Sequence, residues 1–96
     1  MPSLCDVEVA AVLRRLSLAG SLTRERQDEA VLDYVDLPIT RHGHVSLMTR
    51  VLGLRDNFSA YDATYVALTE QLDGALLTSD RRLVRAVTLH TSLEVL

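Results

Sequence analysis

Two carboxylates 18 residues apart, Asp62 and Asp80, are the groups in this chain most suggestive of chemistry. Asp62 falls in the first turn of Asn57 to Leu72, a stretch that reads as one helix with Ser59 as its N-cap. Three residues after that Ser, Asp62 is the acid of a capping box. At about 100° per residue, Tyr61, Tyr65, Leu68 and Leu72 form an apolar stripe, with the polar face near Thr64 and Gln71. Asp62 then faces the interior. Asp80 closes Gly74-Ala75-Leu76-Leu77-Thr78-Ser79-Asp80, which reads as a Gly turn and a short apolar strand. In open parallel α/β sheets, ligands bind just outside the carboxyl ends of strands. A third acid, Glu8, lies about 60° from the centre of an apolar stripe near the amino end, at the margin of a buried face.

Each acid alone has a plain explanation. Asp62 reads as a helix cap, Asp80 as the N-cap of the next helix, and Glu8 as a partly solvated helix residue. As a set they imply more, because clustered carboxylates repel one another unless a cation compensates them. A hard divalent ion such as Mg²⁺ is held by a few carboxylates, waters and substrate phosphates. Such an ion activates water and stabilises the charge of a phosphodiester displacement.

The elements that must position these acids follow in order. Pro2-Ser3 opens a helix with Ser3 as N-cap and Asp6 in its first turn. Cys5, Val9, Val12, Leu16 and Ala19 form its buried stripe, and Gly20 ends it. Thr23 caps a second helix running to about Val35, with Ala30, Val31, Tyr34 and Val35 inward. Leu37-Pro38-Ile39-Thr40 is a strand candidate whose Pro places it at a strand start or a sheet edge. A third helix spans His44 to Arg55, with Leu47, Met48, Val51 and Leu52 inward. After the Asp62 helix come a strand at Ala75 to Thr78, a short helix at Arg81 to Val87 and a last strand at Ser92 to Leu96. Helices alternating with short apolar strands predict an α/β sheet with helices on its faces, in a single domain over residues 1–96.

Composition narrows the function classes. At 48% hydrophobic and net charge −3, the sequence suits an ordinary soluble domain and not broad electrostatic binding to nucleic acid. No apolar run approaches the roughly 20 residues of a membrane span. No basic segment followed by an apolar run marks a leader, so a cytoplasmic location is expected. The single Cys5 cannot form an internal disulfide and belongs to the core stripe. Every basic residue is Arg. Arg81 and Arg85, at i, i+4 beside Asp80, are candidate RNA-phosphate contacts or simply a solvated face. His42-x-His44 supplies two metal-type ligands without a third.

Ala60-Tyr61-Asp62-Ala63-Thr64-Tyr65-Val66-Ala67-Leu68-Thr69-Glu70, followed by Leu76-Leu77-Thr78-Ser79-Asp80-Arg81-Arg82-Leu83, resembles the carboxy-terminal half of a PIN domain. It is most similar to the VapC-type toxins of bacterial toxin–antitoxin pairs. Pro2-Ser3-Leu4-Cys5-Asp6-Val7-Glu8 resembles the segment carrying that family's second acid. The resemblance implies a PIN-like three-layer α/β/α fold with a parallel sheet, lacking the family's first strands and the Asp that the first of them bears. It implies a Mg²⁺- or Mn²⁺-dependent endoribonuclease acting on single-stranded RNA, with Glu8, Asp62 and Asp80 as catalytic metal ligands. Without the family's first Asp, the chain on its own is expected to fall short of cleavage. A cognate antitoxin and a homodimer are the implied partners. Two other readings remain: a non-catalytic PIN remnant, and an α/β interaction module whose acids are only caps.

Overall fold

Thr23, Ser59 and Asp80 close their helix starts with side-chain hydrogen bonds, whereas Ser3 precedes the first helix in a helical conformation without a side-chain cap bond. The computed structural model describes residues 1–96, which divide into two units: Met1 with Ser3–Arg41, and Pro2 with His42–Leu96.

In the first unit, α1 spans Leu4–Leu18 and α2 spans Arg24–Val35. Gly20 ends α1 as expected, with a left-handed φ of 76°. The Ser21 N–H donates to the Leu16 carbonyl (3.0 Å) and the Gly20 N–H to the Ser17 carbonyl (3.1 Å), a Schellman closure. Thr23 caps α2, its hydroxyl accepting the Arg26 N–H at 3.2 Å. Neither helix contains a fully buried residue. The stripe expected to be buried on α1 is at best half-buried, and Val12 and Leu16 are 42% and 38% exposed. On α2, Val31 and Val35 are exposed as well.

A polar cluster ties this unit together. The Tyr34 hydroxyl donates to Asp6 Oδ1 at 2.6 Å, and Arg41 Nε donates to the same carboxylate at 2.8 and 2.9 Å. The guanidinium lies 5.4 Å from the Tyr34 ring centroid. The Tyr34 hydrogen bond, then Arg41, hold the Asp6 carboxyl below the usual carboxylate range, while Asp6 pushes the Tyr34 phenol up. A depressed acid contributes stability above its unfolded pKa and loses it as pH falls through the folded value. The raised phenol contributes below its unfolded pKa and loses that contribution as pH rises through its folded value. Acidification through the range below ordinary carboxylates should therefore loosen α1 against α2. Asp6→Asn should be less stable than wild type at neutral pH, with the gap closing in acid. Circular dichroism during urea unfolding at both pH values checks this; an equal gap at both would show that the Asp6 cluster contributes nothing pH-dependent.

In the second unit, a 3₁₀ turn at Val45–Leu47 runs into α3, Met48–Gly53. The single helix expected over His44 to Arg55 is thus two short pieces, with Leu47 buried but Met48 and Leu52 exposed. Next come α4, Ala60–Gln71, and α5, Arg81–His90. The core of this unit joins Leu54, Phe58, Ala63, Val66, Leu76 and Val87. A second cluster holds Leu47, Ala67 and Leu68, and Val51 packs against both. Arg50 clamps α3 to α4 by a two-pronged pair with Glu70, Nε–Oε1 2.8 Å and Nη2–Oε2 3.0 Å. With the Arg side chain about half exposed, the pair is worth at most about 1 kcal/mol.

The face of α4 differs from the sequence reading. Ala63, Thr64, Val66, Ala67 and Leu68 are buried, whereas Tyr61 is 64% and Leu72 52% exposed. Thr64, placed by sequence on the polar face, is buried because its hydroxyl donates to the Ala60 carbonyl at 2.7 Å. The turn after α4 also shifts by one residue. Asp73, not Gly74, takes the left-handed φ (52°), and the Gly74 N–H closes on the Thr69 carbonyl at 3.0 Å.

The expected α/β/α fold with a parallel sheet is not what forms: the chain is helical, with two isolated parallel bridges and no sheet. Leu76 pairs with Val95 alone, through the Leu76 N–H to the Glu94 carbonyl (2.9 Å) and the Leu96 N–H to the Leu76 carbonyl (2.8 Å). Pro2 pairs with His42. Leu37–Thr40 makes no strand; the Ile39 N–H folds back on the Leu37 carbonyl at 2.8 Å around Pro38. An isolated pair of strands is marginal in water, and one paired position per segment does not make a ladder. Leu76 is still buried, in one cluster with Leu54, Phe58, Ala63, Val66 and Val87 against which Leu93 and Val95 also pack. No helix is long and apolar enough to cross a membrane.

Candidate active site

The start of α4 and the start of α5 build one cleft in the second unit. Ser59 caps α4, its hydroxyl accepting the Asp62 N–H at 3.1 Å. The reciprocal half of a capping box does not form, because the Asp62 carboxylate takes no hydrogen bond and no ion pair. Asp80 caps α5 through a single oxygen. Its Oδ1 accepts the N–H groups of Arg82 (2.9 Å) and Leu83 (3.2 Å), leaving Oδ2 unspent. Its own N–H is fixed by the Thr78 hydroxyl at 3.1 Å. The plain reading of Asp80 as a cap is therefore correct, and it consumes only half of the carboxylate.

Asp62 and Asp80 line the same cleft, about 390 Å³ in volume. Asn57 and Ser59 add polar groups beside Asp62, and Arg82 adds a guanidinium beside Asp80. Phe58, Leu83 and Ala86 give its apolar lining and also pack in or against the core, so the cleft rests on the best-buried part of the unit. Asp62 is half-buried and Asp80 exposed.

This donor set suits a hard cation. Two carboxylates with free oxygens, a hydroxyl and an amide are oxygen ligands of the type Mg²⁺ takes, and Mg²⁺ fills its remaining positions with waters and substrate oxygens. Within the second unit no third His, Cys, Asp or Glu joins the pair. Glu8 belongs to the first unit, on an exposed position of α1 and not at a buried margin. Arg81 and Arg85 are exposed on α5 and do not line the cleft, whereas Arg82 does. Sequence spacing favours the i, i+4 pair; the residue at the second position of α5 is detectable only as the donor that an Asp N-cap engages. Cys5 is half-buried on α1, and no trio of metal-type ligands forms within the second unit around His42 and His44.

No family model matches the chain. Individual relatives do. It is 43% identical over 83 residues to Ribonuclease VapC9 of Mycobacterium tuberculosis, covering 86% of this chain and 65% of that protein. It is 41% identical over 85 residues to Ribonuclease VapC3 of the same organism, covering 88% and 62%. With Ribonuclease VapC1 it shares 42% identity over 87 residues, covering 88% and 65%. The chain thus spans less than two thirds of the length of these curated relatives. With identity of 41–43% over most of its own residues, the chain is similar to the VapC-type ribonucleases over that shared length.

Proposed function

We propose that this chain contributes the cation- and phosphate-holding part of a VapC-type endoribonuclease that cleaves single-stranded RNA. The observation that supports it most is the shared cleft of Asp62 and Asp80, in which each carboxylate keeps at least one oxygen free of protein partners. Half-burying an unpaired carboxylate beside a second one is unfavourable in a purely structural role, since a neutral cap would serve as well. In the proposed site, Asp62 and Asp80 hold Mg²⁺ or Mn²⁺. The cation would supply activation of a water and neutralisation of charge at the phosphodiester. The chain's own residues then bind the cation, orient the phosphate and keep the Asp80 side chain rigid through its two cap hydrogen bonds. A cytoplasmic toxin paired with a cognate antitoxin, and a homodimer, complete the reading. The exposed apolar side chains of α1 and α2, Val7, Leu18 and Leu32 among them, favour such a partner. They equally favour a second reading, a non-catalytic interaction module.

The test is Mn²⁺ titration by calorimetry together with incubation of a labelled single-stranded RNA with Mn²⁺, with and without chelator. Expected is Mn²⁺ binding that is lost in Asp80→Asn, and any chelator-sensitive cleavage is lost with it. Asn is chosen because it keeps the cap of α5, whereas Ala would cost about 0.5–2 kcal/mol in helix capping. Absence of both Mn²⁺ binding and cleavage would leave the interaction module as the better account.

A further inference from the structure

We infer that Arg82 is the phosphate-contacting residue of the acidic cleft, gripping the backbone of a single-stranded RNA beside the Asp62–Asp80 pair. The inference rests on the ribonuclease reading and adds a residue to it. Arg82 is the one basic side chain lining the cleft. Arg82 is exposed at the cleft's rim, where a purely structural Arg would pair with one of the two acids. It pairs with neither: its backbone N–H serves the Asp80 cap, while its guanidinium makes no ion pair and no hydrogen bond.

The charges give that free guanidinium a purpose. Two carboxylates alone repel a phosphodiester. One divalent cation cancels them, and the remaining positive charge needed to match the single negative charge of the phosphate is that of Arg82. Its planar fork fits two phosphate oxygens at once, which a Lys ammonium does not reproduce. Because Asp80 fixes the Arg82 backbone through the cap, the fork starts from a rigid base on α5. A phosphate contact positions the strand without reading its sequence, so Arg82 sets affinity and register and not the cleavage sequence.

The experiment measures binding of a fluorescent single-stranded oligoribonucleotide by anisotropy, in Ca²⁺ and over a series of salt concentrations. Wild type is compared with Arg82→Gln, Arg82→Lys and Arg85→Gln, each checked for folding by circular dichroism. Arg82→Gln should lose about tenfold in affinity, for oligonucleotides of any sequence. Its plot of log affinity against log salt should be shallower by about 0.7, the value for one lost phosphate contact on a single strand. Arg82→Lys should fall between, and Arg85→Gln should change less. Mn²⁺ affinity in the absence of RNA should be unchanged or higher in Arg82→Gln, because a nearby positive charge is gone. Wild-type RNA binding with the same affinity and salt slope in Arg82→Gln would overturn the inference while leaving the ribonuclease reading intact. Wild type that binds neither Mn²⁺ nor RNA would overturn both.

Discussion

Asp62→Asn is expected to lower Mn²⁺ affinity by at least about tenfold while leaving the fold in place. The side chain is free to change because it does not hold the helix. The α4 cap is made by the Ser59 hydroxyl and the Asp62 backbone N–H, neither of which the substitution touches. Loss of a negative charge in the first helical turn costs about 0.3–1 kcal/mol through the helix dipole. Net stability should therefore move by less than about 1 kcal/mol. Metal affinity falls further, because Asn presents one neutral carbonyl oxygen where the cation needs charge. Calorimetric titration with Mn²⁺, alongside thermal unfolding of the same samples, separates the two effects. Unchanged Mn²⁺ affinity in a folded variant would remove Asp62 from the site.

What the sequence made legible was local. Ser59, Asp80, Thr23 and Gly20 each cap the helix expected of them, because a cap is a bond between residues two or three apart. The faces were less legible. On α4, apolar residues occur nearly all the way round, so the periodicity has no strong direction and the stripe through Tyr61 and Leu72 is only one of several that fit. Packing decides among them. Small Ala63 and Ala67 allow close approach, and Thr64 and Thr69 bury their hydroxyls by bonding back to Ala60 and Tyr65. The strands were illegible for a different reason. Leu76 and Val95 carry the right residue types, but pairing is a property of two distant segments, and here it stops at one bridge.

The site shows the same division. Both acids of the cleft stand out in the sequence because each sits at a helix start that local rules identify. Arg82 does not, since the mutual i, i+4 relation of Arg81 and Arg85 says nothing of which residue faces the cleft. A helix-start Asp fixes the backbone of the next two or three residues, and that constraint is a better guide to the Arg that lines the cleft than helical periodicity.

Phe58→Ala and Leu72→Ala should have sharply different costs, opposite to the ranking that the α4 stripe implies. Phe58 precedes α4 and is 8% exposed, packed with Leu54, Ala63, Val66, Leu76 and Val87. Its ring meets His90 edge-on, with centroids 6.3 Å apart and planes at 82°. Truncating a buried Phe costs about 3–5 kcal/mol through lost burial and an unfilled cavity. That is a large part of the roughly 5–15 kcal/mol typical of a whole domain, so the variant should unfold at much lower urea or show no cooperative transition. Phe58 also lines the cleft, so Mn²⁺ binding should weaken in proportion to the unfolded fraction and recover as the temperature is lowered toward that of maximum stability. Leu72, 52% exposed at the end of α4, loses little on truncation and should stay within about 0.5 kcal/mol of wild type. Urea midpoints for both variants, with Phe58→Leu as an intermediate of retained bulk, decide the matter. If Leu72→Ala proves as damaging as Phe58→Ala, then α4 packs through the face that the sequence periodicity selects, and Phe58 does not anchor the core.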